Sequence, residues 1–308
     1  MRETQSAPAG AIDSLGLGFA LVARRPYLVL LPVGVAAALM LLPAWTAPTQ
    51  TRQVLSVVED VLLTRAPTPD HVLGIFTQAD TLGRGLSQAN ILRLIVWQLP
   101  MLNIPASGAS VLWGGGLPLL VGFMGGLALA GLLLASCYLA PLGQAVVGRP
   151  RPLAPAILKG WLALVGYRLL LGTLAVVGLL GGGLLVAVAL LLSPFVAALL
   201  GGLIIGGAFL VLFYLFLVEE AIFIDGLGPA QAMLRSAQVV FGHFWACVRF
   251  WLLTAIISLG ARLLLERFTE TLPGALAASA VYAFIATGIT AAGMVFYRER
   301  ASRLPVRA

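Results

Sequence analysis

A chain of 308 residues that is 60% hydrophobic, 10% charged and has a mean hydropathy of +1.01 is not an ordinary soluble domain, in which about a quarter of residues are charged. The net charge of +7 comes from bases scattered at the ends of apolar runs, which argues against a nucleic-acid-binding face and fits membrane topology. Cys137 and Cys247 stand far apart in apolar surroundings, without CxxC or zinc spacing, and read as inert buried thiols.

Residues 1–10 read as a disordered start. From Ala11 to Arg25, Ile12, Leu15, Phe19 and Val22 recur at helical spacing and Arg24-Arg25 close the segment, the pattern of a helix lying in the interface. The tail and this helix make up 1–25. A first span follows over 26–46; its long lead and the lack of an A-x-A pattern in PAWTAPTQ favour a retained span over a cleaved signal peptide. Residues 47–113 form the one sizeable non-membrane loop. Within it, 53–64 carries a stripe of Val54, Val57, Val58, Val61 and Leu62 opposite Ser56, Glu59 and Asp60. The apolar piece from Ser87 to Leu99 stops before Pro100; it is too short to span, so it is expected to be interfacial or re-entrant. Further spans are expected over 116–146, 161–192, 195–218, 244–265 and 272–297, with a basic tail over 298–308.

The fold expected is therefore all-α: a single integral membrane bundle of six transmembrane helices with interfacial amphipathic helices. With the N-terminus inside, thirteen of the nineteen Lys and Arg fall on the inner side. This orients both termini toward the cytoplasm and the 47–113 loop outward, in a plasma (inner) membrane. Trp45 and Trp113 then sit at outer ends of spans, and Trp161, Trp245 and Trp251 at inner ends. Each outgoing span is preceded by a short amphipathic lead. PAILKGWLALVGYR (155–168) and PAQAMLRSAQVVFGHF (229–244) both begin Pro-Ala and place a base seven residues before a glycine. The repeat suggests three helical hairpins, each fed by an inner-surface helix.

The spans carry hydroxyls such as Ser136, Thr173, Thr287 and Thr290 in their central parts but almost no ionisable residues, which argues against ion-coupled transport. Gly122 and Gly126, Gly178 and Gly182, and Gly202 and Gly206 have the four-residue spacing of close helix packing. His71 and His243 fall on opposite sides of the membrane in this topology, and no Ser-His-Asp set, HExxH or paired-carboxylate constellation stands out. Neither a cofactor nor catalysis is expected.

The polar stretch from Glu219 to Phe250 is where function is most readily sought. Glu219 and Glu220 are expected at the C-terminal end of the fourth span, where the helix dipole disfavours negative charge. The cations available to offset them are Arg235, Arg249, Arg168 and the Arg24-Arg25 pair. Gly226 and Gly228 permit a tight reversal, and Pro229 suits a first helical position. Glu219, Glu220, Asp225, Arg235, Ser236 and Arg249 are thus candidates for an acid–base clamp between surface helix and spans. The other readings are a headgroup site using Arg235, Ser236 and nearby bases against phosphate, and a divalent cation on the three acids, which is the poorest because adjacent helical carboxylates diverge.

The order Asp225-Gly226-Leu227-Gly228, Ala232-Met233-Leu234-Arg235-Ser236 and Gly242-His243-Phe244-Trp245 resembles the membrane domain of the glycerophosphoryl diester phosphodiesterase family and related uncharacterised prokaryotic multi-pass proteins. Asp225 stands where that family usually has Glu, and Leu234 where a second base is frequent. The resemblance implies a membrane module and not the enzyme activity, which in fused members belongs to a separate soluble barrel domain. The expectation is a non-catalytic scaffold or lipid-interacting protein with a basic cytoplasmic face. Its partners would be membrane lipids with anionic headgroups, with a protein partner or a homo-oligomer open. An uncoupled transporter or channel for lipids or small molecules is the second reading, and an enzyme acting on lipid headgroups the third.

Overall fold

The computed structural model describes residues 10–46, 99, 102, 110–148 and 152–303. The expectations for 1–9, for the helices at 53–64 and 87–98 and for 304–308 lie outside the described residues. In chain order the elements are α1 (Ala11–Arg24), α2 (Tyr27–Leu41), β1 (Ala44–Thr46), β2 (Ser110–Leu112), α3 (Leu117–Val147), α4 (Leu153–Leu192), α5 (Pro194–Tyr214), α6 (Val218–Asp225), α7 (Pro229–Gly242), α8 (Phe244–Glu266) and α9 (Leu272–Ala301). Among the described residues the fold is all-α apart from one short parallel strand pair. Among the described residues five stretches are long and apolar enough to cross a membrane: α3, α4, α5 with α6, α8 and α9.

The first span differs from its expectation over 26–46. α2 has 15 residues, which at 1.5 Å per residue reach about 22 Å, short of the roughly 30 Å of a hydrocarbon core. Among the described residues a sixth span is reached if α1 and α2, which meet at 79°, are counted as one bent pair. The corner is Arg25-Pro26: proline has no N–H to continue the α1 ladder and disfavours helical geometry in the residue before it. After α2 the chain straightens into β1, which pairs in parallel with β2 so that Ala44, Trp45 and Thr46 face Ser110, Val111 and Leu112. The two ends of the intervening segment are thereby joined. Phe123 stacks on Trp113 at 4.9 Å and on Trp45 at 5.7 Å, tying the strand pair to α3.

The leads repeat in packing more than in form. α1 and α7 are separate helices, broken from α2 and α8 at Arg25 and His243. The lead over 155–168, in contrast, is continuous with its span in the 40-residue α4, because no proline interrupts it after Pro155. Each lead buries one stripe with small residues in it: Ser14, Leu15, Gly18 and Val22 in α1; Gly160, Ala163, Leu164 and Tyr167 in α4; Ala232, Ser236, Val239 and Val240 in α7.

Burial is concentrated at one end of the antiparallel array, with smaller clusters such as Ala36, Met40 and Ala275 elsewhere. It falls mainly in the second half of α3, the first third of α4, the end of α5, the start of α8 and the second half of α9, which all lie on the same side because the helices alternate in direction. α9 is the axis of this packing: 56% of its apolar window is buried, against 6–17% in the other four candidate spans. Away from this end, α4 and α5 form an arm in which Leu179, Leu191, Phe195 and Ile205 are all exposed. Such outward leucine-rich faces suit hydrocarbon and not water.

Close approach depends on glycines that spacing alone did not single out. A Cβ on Gly18 would collide with the backbone of Gly288 and Ala292, one on Gly288 with the Phe19 ring, and one on Gly160 with the Phe223 ring. Of the six glycines marked by four-residue spacing, only Gly182 would bring an added Cβ within 4 Å of another part of the described residues, the Ile204 side chain. Gly160→Ala should therefore cost about 1–3 kcal/mol by overpacking, read as a lower Tm in detergent. Gly178→Ala, with nothing near its Cβ, should leave Tm unchanged or slightly raised; equal Tm values for the two variants would contradict the packing.

Candidate functional site

The polar elbow forms where α5 stops and α6 restarts. Leu215 to Leu217 interrupt the helix, with φ near −100° at both Leu215 and Leu217. An interrupted ladder leaves backbone groups that must bond elsewhere when buried. Ser236 of α7 supplies that partner: its hydroxyl donates to the Tyr214 carbonyl at 2.8 Å and accepts from the Leu217 N–H at 3.2 Å. The side chain is fully buried, so the hydroxyl is committed to the backbone break and does not face a headgroup.

The break also changes the electrostatics expected of the acids. Glu219 and Glu220 lie in the first turn of α6, where the helix dipole favours carboxylates, and not at the trailing end of the preceding span. Glu219 accepts a 2.6 Å ion-paired hydrogen bond from Arg168 Nη2 of α4. Glu220 turns the other way, and its Oε1 lies 2.9 Å from where a Cβ on Gly293 would stand. Its Oε2 is buried without a hydrogen-bond partner among the described residues. Glycine at 293 is what gives this carboxyl room against α9.

Asp225 ends α6, and the chain reverses through Gly226, whose φ of 70° is left-handed and is tolerated because glycine has no Cβ. Gly228 and Pro229 then start α7. The Asp225 carboxylate accepts a 2.5 Å hydrogen bond from the Tyr297 hydroxyl of α9. Arg235 Nη2 donates to the Ala301 carbonyl at 2.7 Å, placing a cation on the C-terminal end of α9, where the dipole favours it. Five of the six candidates therefore meet at the elbow, and their bonds bring α4, α5 and α9 together. Arg249 is exposed on α8 and takes no part in these contacts. The three acids diverge, to Arg168, Gly293 and Tyr297, so they do not make a cation site; among the described residues no three His, Cys, Asp or Glu converge.

Several participants escaped sequence reasoning. Arg298 and Arg300, expected in a tail, are helical because α9 runs on to Ala301. Arg300 is buried, with its guanidinium 3.4 Å from the centroid of Phe296, which stacks on Phe250 at 4.3 Å. Ser136 of α3 donates to the Ile157 carbonyl of α4 at 2.6 Å, and Trp161 Nε1 to the Leu129 carbonyl at 3.1 Å. The first crosses to a second helix instead of bonding back within its own; the second shows that Trp161 bonds a neighbouring helix. A signal that could have found Tyr297 is its place beside three charges in YRER at the end of an apolar run. No family model, curated protein or solved structure matches this chain.

Ser236→Ala would leave the Tyr214 carbonyl and Leu217 N–H unbonded in a buried site and should cost about 1–3 kcal/mol, measured by thermal unfolding in detergent. In double-mutant cycles, Arg168→Ala and Glu219→Ala should be coupled, whereas Arg235→Ala and Glu220→Ala should add, since those two contact α9 at different points. Coupling of the second pair with none in the first would overturn this assignment of partners.

Proposed function

We propose that this chain is a non-catalytic, multi-pass membrane module that binds membrane lipids, its packed end lying at a cytoplasmic face rich in anionic headgroups. In this reading α1 and α2 form a bent sixth span with an interfacial lead, and both termini are cytoplasmic in a plasma (inner) membrane. The observation that carries it is the one-sided packing. The chain closes around its elbow while the other halves of its helices turn leucine-rich faces outward, leaving lipid as the main solvent of the arms.

The chemistry of the elbow supports a clamp more than an active site. Ser236, Glu219, Asp225 and Arg235 each bond to another helix or to a backbone end, which holds the arms at their base. The excess of arginine on this side would draw anionic lipid, at about 1 kcal/mol per base near a charged surface. The likeness of the segment from Asp225 to Trp245 to the glycerophosphoryl diester phosphodiesterase membrane domain is consistent with a membrane module of this kind.

The full chain, reconstituted in vesicles of phosphatidylcholine with and without phosphatidylglycerol, should unfold at a higher temperature when the anionic lipid is present. The difference should shrink as salt is raised, because exposed charges are screened. Equal unfolding temperatures in the two lipids would reject anionic lipid as the ligand.

A further inference from the structure

At the packed end, between α1 and the end of α9, lies a cavity of about 660 Å³. Among the described residues its lining carries Arg24, Arg25 and Arg298, and one carboxylate, that of Glu299. Leu17, Leu21 and Val295 are among the residues of its apolar wall. We infer that this cavity is a binding site for one anionic glycerophospholipid, with the phosphate on the three guanidiniums and the glycerol and upper acyl chain along the apolar wall. The assignment rests on the lipid-binding reading above and gives that reading a place and a headgroup class.

Three features carry it. The first is charge: three arginines facing one carboxylate suit a ligand with net negative charge, and guanidinium forks match phosphate oxygens. A zwitterionic headgroup would bring its own ammonium into the same field. The second is preorganisation, since Arg298 Nη1 donates to the Val146 carbonyl at 2.7 Å and its guanidinium is held at the rim before any ligand arrives. Arg24 and Arg25 are placed by the 79° corner between α1 and α2, and both are exposed.

The third is depth. The cavity lies where α2 begins its apolar run and where that of α9 gives way to Arg298. At that level a span leaves hydrocarbon and meets phosphate. An apolar wall beneath the bases adds nothing for a free anion, whereas a lipid fills it. Leu17, 51% exposed on α1, is accounted for by the same occupant.

The test uses the full chain purified in detergent, offered phosphatidylglycerol and phosphatidylcholine, with retained lipid counted by native mass spectrometry. Wild type should keep phosphatidylglycerol in preference. Arg24→Gln combined with Arg25→Gln should weaken that retention about tenfold or more, while Arg267→Gln, at the opposite end, should match wild type. An unfolding temperature in phosphatidylcholine equal to that of wild type shows the double variant intact; if it is lower, Arg24→Gln alone carries the same expectation. Undiminished retention by these variants, with wild type still preferring the anionic lipid, overturns the cavity as the site and leaves the lipid-binding reading standing. Loss of any preference in wild type removes both. Inorganic phosphate that stabilises the protein as well as phosphatidylglycerol does would reject a lipid occupant in favour of a soluble anion.

Discussion

Between helices in hydrocarbon there is little hydrophobic gain, since lipid tails are as apolar as leucine, so association relies on close packing and on polar groups bonded across helices. In this chain the closest approaches are concentrated at one end. There the backbones of α1 and α9 meet at Gly18, Gly288 and Ala292, and Phe223 fills the space that Gly143 and Gly160 leave between α3 and α4. Elsewhere the helices turn many large apolar side chains outward, and their contacts, such as Gly182 with Ile204, are sparser.

The polar bonds at the packed end reinforce one another. Ser236 closes the interrupted ladder between α5 and α6, which starts α6 afresh and puts Glu219 and Glu220 on its favourable end. Glu219 then reaches Arg168 of α4, and Asp225 at the far end of the same short helix reaches Tyr297 of α9. Arg235, on the helix that carries Ser236, closes the set at Ala301. One eight-residue helix thus fixes the base of the α4–α5 arm against the central helix. That is a mechanical role for charges that, read along an apolar chain, first suggest chemistry.

The same end gathers the cations. Arg298 holds the end of α3 while standing at the rim of the α1–α9 cavity, and Arg300 is spent inside on Phe296. Neighbouring bases on one helix turn therefore have separate fates, set by which face of α9 each occupies. The face toward Phe250 is buried and aromatic, whereas Arg298 is exposed beside the end of α3. Of the bases expected in a tail, Arg300 is enclosed against Phe296 and Arg298 is exposed while bonding the end of α3.

Composition and apolar run length by themselves determined that this is an all-α chain with long apolar helices, and placed most helix ends within a few residues. They did so because the roughly 20-residue apolar length of a span leaves few alternatives. They also marked the stretch from Glu219 to Phe250 as the polar centre, since charges there stand between two apolar runs. What they did not determine was which partner each charge takes. Glu219 had several cations within reach in sequence, and only the crossing of α4 past α6 selects Arg168. Nor did glycine spacing distinguish packed positions from lipid-facing ones, because a glycine face draws helices together only where a second helix has been brought to it. The 79° corner after α1, the break before α6 and the cavity at Arg24, Arg25 and Arg298 were decided by tertiary structure. Each depends on groups far apart in sequence that meet around α9.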